Sequence, residues 1–147
     1  MMKLLPIQST IEENAAFAAN PDCQSSLYLS IEFMQKIGYQ PPWIGYYAKK
    51  EGQLVGAAAF KGAPVNGKVE IAYGTFERFQ QQGVGTEMCK CLVDLSLQTD
   101  PSVLITARTL PEKNFSTRIL EKNGFILLGI VTDPEDGEVW EWQYVQT

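Results

Sequence analysis

The chain has 147 residues, 45% hydrophobic and 20% charged, which fits one folded domain and excludes the disordered and fibrous classes. Its 12 Lys and Arg against 17 Asp and Glu leave a net charge of -5 with no dense basic run, so nucleic acid is not an expected partner; the acidity suits a cationic small substrate, or serves solubility alone. Cys23, Cys89 and Cys91, in a chain without histidine, make neither an even disulfide framework nor a metal site, so free thiols in a reducing cytosol and no metal are expected.

Met1 to Pro6 carries one basic residue and too short an apolar run for a signal peptide or membrane span, which points to a cytoplasmic protein with no membrane partner. Ser9 and Glu12 have capping-box spacing, and Ile11, Ala15, Ala18 and Ala19 can share a face, which predicts a short helix over residues 10–19. Asn20-Pro21 reads as the cap and first residue of a second helix. That helix carries Leu27, Ile31, Met34 and Ile37 at helical spacing until Gly38 and Pro41-Pro42 stop it.

The period then changes. Trp43–Lys49 and Leu54–Lys61 read as antiparallel strands around a turn at Glu51-Gly52. A third strand, Lys68–Thr75, puts Val69, Ile71 and Tyr73 on one face and Glu70, Ala72 and Gly74 on the other. From Gly83 a helix sets Val84, Met88, Cys91, Leu92 and Leu95 against Glu87, Lys90 and Asp94. Val103–Ala107 suits a strand buried on both faces. Thr109 to Glu112 reads as a capping box before a helix holding Phe115, Ile119 and Leu120, which Gly124 stops. Two strands, Phe125–Thr132 and Val139–Val145, flank the turn-rich Asp133–Gly137. The order ααβββαβαββ predicts an α/β fold over residues 1–147, a mixed sheet with helices on its faces.

Between the third strand and the next helix lies Gln80-Gln81-Gln82-Gly83-Val84-Gly85-Thr86. Two glycines at a helix start let backbone approach a ligand, and the free amides of the first turn, with the helix dipole, favour an anion. The run lacks the Gly-Lys-Ser/Thr of a Walker loop and the third glycine of the dinucleotide fingerprint. An ordinary tight turn is the alternative.

Gln80, Gly83 and Gly85 spell Gln-x-x-Gly-x-Gly, which resembles the pyrophosphate-binding motif of the GNAT superfamily of acyl-CoA N-acyltransferases. The segment Asn114 to Phe125, ending in Leu120-Glu121-Lys122-Asn123-Gly124-Phe125, is similar to a helix of the same families, and the likeness spans residues 43–131. It implies an enzyme that moves acetyl from acetyl-CoA directly to a primary amine in a ternary complex, with acetyl-CoA as co-substrate. It also implies coenzyme contacts from Gln80, Gln81, Gln82, Gly83, Val84, Gly85 and Thr86. Main chain around Tyr73, Thr75 and Phe76 would bind pantetheine and the thioester oxygen, and Asn114 and Ser116 would touch the coenzyme from the later helix, unless Asn114 only caps it. Leu120 stands where many relatives have a tyrosine, which leaves the leaving thiolate to a water or to Ser116. Leu120 and the Leu-Glu-Lys-Asn-Gly-Phe ending resemble the branch with the ribosomal-protein N-terminal acetyltransferases. That branch also acts on small molecules, so the acceptor stays open between amino acid, polyamine, drug amine and peptide terminus.

With no histidine, the proton acceptor must be a carboxylate, a tyrosine or a water held by one. Glu70 is the candidate, since several GNAT families place a glutamate there that acts through water; the alternative is a solvated strand residue. Trp43, Tyr46, Tyr47, Phe60 and Tyr73 either line an acceptor pocket or fill the core. Trp140 and Trp142 suit burial or an interface, so monomer and homodimer stay open. The competing function is a non-catalytic acetyl-CoA-binding sensor or interaction domain.

Overall fold

The computed structural model describes residues 1–146, and Thr147, the last residue of the expected domain, lies outside them. The elements are β1 (Lys3–Pro6), α1 (Ala15–Ala18), α2 (Gln24–Ile37), β2 (Gly45–Lys50), β3 (Gln53–Phe60), β4 (Lys68–Thr75), α3 (Val84–Thr99), β5 (Leu104–Thr109), α4 (Phe115–Lys122), β6 (Phe125–Asp133) and β7 (Gly137–Tyr144). Among the described residues the strands form one sheet in the order β1-β2-β3-β4-β5-β7-β6, antiparallel except for the parallel pair β4 and β5. The expected mixed α/β architecture is present, with one strand added at the front.

That strand, β1, pairs antiparallel with β2 from Lys3↔Lys49 to Pro6↔Tyr46. Its outer edge has no partner among the described residues, which is where a strand tolerates the missing N–H of Pro6. The expected first helix is a 3-10 turn, Glu12–Asn14, running into the single turn of α1. Its capping interaction sits one residue along: Glu13 N–H donates to Thr10 Oγ1 at 3.4 Å, and Thr10 Oγ1 donates back to Glu13 at 2.8 Å. The second helix starts at Gln24 rather than Pro21. Asn20 Oδ1 accepts from Asp22 N–H at 2.9 Å, so its side chain closes a turn of its own and is not free to cap α2.

Burial follows helical spacing. Leu27, Ile31 and Met34 face inward along α2, which ends where Gly38, at φ 98, gives its N–H to Met34 O. On α3 the fully buried stripe is Val84, Met88, Cys89, Leu92 and Val93, with Cys91 and Leu95 flanking it half-buried. The thiol in that buried stripe is therefore Cys89, two residues before the expected Cys91 and on the other side of the helix. α3 packs on β3 and β4, where Met88 lies at 0% exposure among Ala58, Phe60, Val69 and Ile71. Truncating such a side chain to alanine costs about 2–5 kcal/mol. Ile7, Cys23, Leu27, Ile31 and Tyr47 form a second cluster under α2. Tyr46, Tyr47 and Phe60 belong to these cores, with Trp43 packed edge-on to Phe60 at 5.1 Å. Trp142 is buried too, and its Nε1–H donates to Thr109 Oγ1 at 3.0 Å.

Candidate functional site

β4 and β5 run side by side from Lys68↔Leu104 to Ile71↔Ala107 and then part. β4 continues to Thr75 along β3, while Arg108 and Thr109 stay with Glu141 and Trp140 of β7. Beyond Ile71 the N–H and C=O groups on the open side of β4 have no strand to bond among the described residues, and an unpaired strand edge of this kind is open to a ligand or water. A cleft of about 600 Å³ opens at this parting, within the range of small-molecule and cofactor sites.

One wall of the cleft is the start of α3. Gln81 and Gly83 both take left-handed backbone, at φ 64 and φ 79, and Gly83 caps the helix. Glu87 N–H is the first in α3 to reach a carbonyl one turn back, Gly83 O at 3.1 Å. The N–H groups of Val84, Gly85 and Thr86 therefore have no acceptor within the helix and, with the helix dipole, form an anion-binding corner. The two glycines serve different ends. A β-carbon on Gly83 would meet nothing within 4 Å, so that position demands its backbone angle; one on Gly85 would lie 2.7 Å from Ile119 Cδ1, so that position lets α4 close on α3. Asn123 fastens the same contact, donating Nδ2–H to Thr86 O at 3.3 Å and to Ile119 O at 2.9 Å.

The facing wall is α4. Thr117 N–H donates to Asn114 Oδ1 at 3.2 Å and Asn114 N–H to Thr117 Oγ1 at 3.0 Å, a reciprocal cap that stands five residues after the expected Thr109. Phe115, Ser116, Arg118, Ile119 and Lys122 line the cleft from this helix, and none of the described lining residues is acidic. Of the residues expected on the coenzyme, Tyr73, Thr75, Gln80, Gln81, Gly83, Val84, Gly85, Thr86 and Ser116 line the cleft. Phe76, Gln82 and Asn114 do not: Phe76 packs towards Tyr47 at 6.2 Å, Gln82 extends back to Arg78 O at 3.5 Å, and the Asn114 side chain is committed to its cap. Gly74, Phe115, Arg118, Ile119 and Lys122 are lining residues that the motif did not indicate. The signal for the α4 set is the i, i+3, i+4, i+7 spacing of Phe115, Arg118, Ile119 and Lys122.

The register puts Glu70 on the other face of the sheet. Ala57 pairs with both Tyr47 and Gly74, so Gly74, Ala72 and Glu70 share the face of Tyr47, and the pairs Glu70↔Thr106 and Arg108↔Glu141 continue it. There Glu70 lies 3.2 Å from Lys61 Nζ and 3.8 Å from Arg108 Nε. Arg108 donates from Nη1 to Asp133 Oδ2 at 3.0 Å and approaches Glu141 at 3.5 Å. Glu70 and Arg108 thus flank the last β4–β5 pair, Ile71↔Ala107, at the mouth of the parting. Tyr73 faces the α3 side, beside the Cys89 thiol. Burial pushes the Tyr73 phenol well above its usual range and the Cys89 thiol up to about 12, so both remain protonated at neutral pH. Leu120 is 1% exposed and contributes no polar group to the cleft.

A family model described as an acetyltransferase (GNAT) domain matches residues 2–126. An uncharacterized N-acetyltransferase, YjdG, of Bacillus subtilis (strain 168) is 32% identical over 105 residues, covering 70% of this chain. The chain spans 58% of that relative's length. Among solved structures, aminoglycoside acetyltransferase AAC(6')-Ib in complex with coenzyme A aligns at a TM-score of 0.71 with 19% identity, over 99% of this chain and 95% of its own. RimL, a ribosomal L7/L12 alpha-N-protein acetyltransferase, aligns at 0.72 with 15% identity, over 98% and 92%.

Proposed function

The chain belongs to the GNAT acetyltransferase family, and from that premise we propose that it transfers acetyl from acetyl-CoA to a primary amine by direct attack within a ternary complex. The observation that carries this reading is the coincidence of two sets of unpaired main-chain donors, at the start of α3 and along β4 beyond Ile71, in one cleft without a carboxylate.

The N–H groups of Val84, Gly85 and Thr86 receive the diphosphate, which sets the pantetheine arm along the open edge of β4. That edge offers donors to the thioester oxygen, where negative charge builds as the amine adds. The amine enters from the opposite face, past Glu70. As nitrogen bonds to the acetyl carbon and the carbon–sulfur bond breaks, the amine's proton passes through a water to Glu70. The departing thiolate takes a proton from a water, or is stabilised by a hydrogen bond from Ser116, the hydroxyl that α4 contributes to the cleft, until solvent protonates it. Lys61 and Arg108 orient Glu70. The acceptor is a small-molecule or peptide amine, of which the aminoglycosides and L7/L12 terminus handled by the structural neighbours are examples.

Thiol release from acetyl-CoA against a panel of amines tests the proposal, with amine-dependent release expected. Coenzyme binding with no release by any amine would instead leave a non-catalytic acetyl-CoA-binding domain.

A further inference from the structure

The cleft's charge is at odds with the rest of the chain. The protein carries a net charge of -5, yet Arg118 and Lys122 project into a cleft with no acidic lining residue, and neither forms an ion pair with a described carboxylate. Two like charges one helical turn apart repel, and an anion between them relieves the repulsion. Beside them Phe115 is 63% exposed, and the Arg118 guanidinium carbon lies 5.2 Å from its ring centroid. Exposing an aromatic face under a guanidinium gives a planar, electron-rich base a surface to stack on.

These groups are separate from the corner that accepts the diphosphate. The donors there are main-chain N–H groups of α3, whereas the cations belong to α4, across the contact between Ile119 and Gly85. The cleft therefore has two anion-binding surfaces, and coenzyme A carries two phosphate groupings: a diphosphate on the 5′ side and a monophosphate on the ribose 3′ carbon. Resting on the coenzyme reading above, we propose that Arg118 and Lys122 hold the 3′-phosphate while Phe115 supports the adenine, so that the α4 wall selects coenzyme A over its 3′-dephospho form.

Calorimetric titration of the unmodified chain with coenzyme A and with 3′-dephospho-coenzyme A tests this before any substitution is made. Coenzyme A is expected to bind about tenfold more tightly, with the advantage shrinking as salt is raised. In Arg118→Gln/Lys122→Gln the affinity for coenzyme A should fall to that for the dephospho form, with the latter nearly unchanged. Both side chains are at the surface, so the melting temperature should hold. Equal affinity of the unmodified chain for the two ligands, or a preference that survives the double substitution, overturns the inference and leaves the diphosphate corner standing. Binding of neither ligand overturns the coenzyme reading and this inference together.

Discussion

Gly85 and Ile119 are matched surfaces: the Cδ1 methyl of Ile119 occupies the space beside Gly85 so closely that a β-carbon there would lie 2.7 Å away. The pair fixes the separation of α3 and α4, and with it the width of the cleft. Gly85→Ala is expected to push the helices apart and weaken coenzyme binding about tenfold. Overpacking of about 1–3 kcal/mol is only partly offset by the helix propensity of alanine, worth about 0.5–1 kcal/mol, so a modest loss of stability is expected as well. Ile119→Val removes the colliding methyl and should restore much of the affinity in the double variant. Coenzyme titration across the four proteins checks this; purely additive effects would show that Gly85 serves the ligand rather than α4.

Gly83 answers to a different constraint, a left-handed φ of 79 with open space around it. Gly83→Ala should cost about 1–2 kcal/mol in folding stability through backbone strain alone. Gly83→Glu carries the same strain and adds an anion at the α3 corner, so it should abolish coenzyme binding at a similar melting temperature. Full binding by the glutamate variant would remove the diphosphate from that corner.

Glu70 is outside the cleft, beside Lys61 on the opposite face of the sheet, where we propose that the amine enters. Glu70→Gln should therefore lower turnover at saturating acetyl-CoA by about 10² to 10⁴ while leaving coenzyme affinity intact. Steady-state rates over a range of pH check this, and turnover equal to that of the unmodified chain at every pH would exclude Glu70 from proton transfer.

Asp133 is held down to about 2, against an ordinary 3.8, first by the Glu135 N–H, then by the Arg108 guanidinium and the Asp136 N–H. A carboxylate depressed in the folded state stabilises it above the unfolded value, and that contribution disappears as pH falls through the folded one. Asp133→Asn should therefore lower the melting temperature at pH 5 and differ progressively less from the unmodified chain between about pH 4 and pH 2. Parallel melting curves over that interval would show that Asp133 contributes nothing to acid sensitivity.

Local patterns made much of this fold legible, because the period shifts at Trp43, Gly83 and Phe125 coincide with real changes of element. The glycine loop that opens α3 was legible as well, since Gly83 and Gly85 are fixed as glycine within a few residues or by one packed neighbour. What escaped depends on contacts distant in sequence. β1 is four residues long and exists through β2, its partner some 40 positions away. The turn of Phe76 towards Tyr47 and the place of the α4 cations on the cleft wall follow from how α4 and β4 are docked. No alternation of apolar and polar residues encodes that docking.

The donors at the start of α3 are peptide N–H groups, and no side-chain replacement deletes a peptide group. An alanine scan through Gln80–Thr86 would thus register the shape of the loop and understate its grip. A backbone amide-to-ester exchange at Gly85 or Thr86, made by semisynthesis, removes the hydrogen itself and reports the strength of that grip directly.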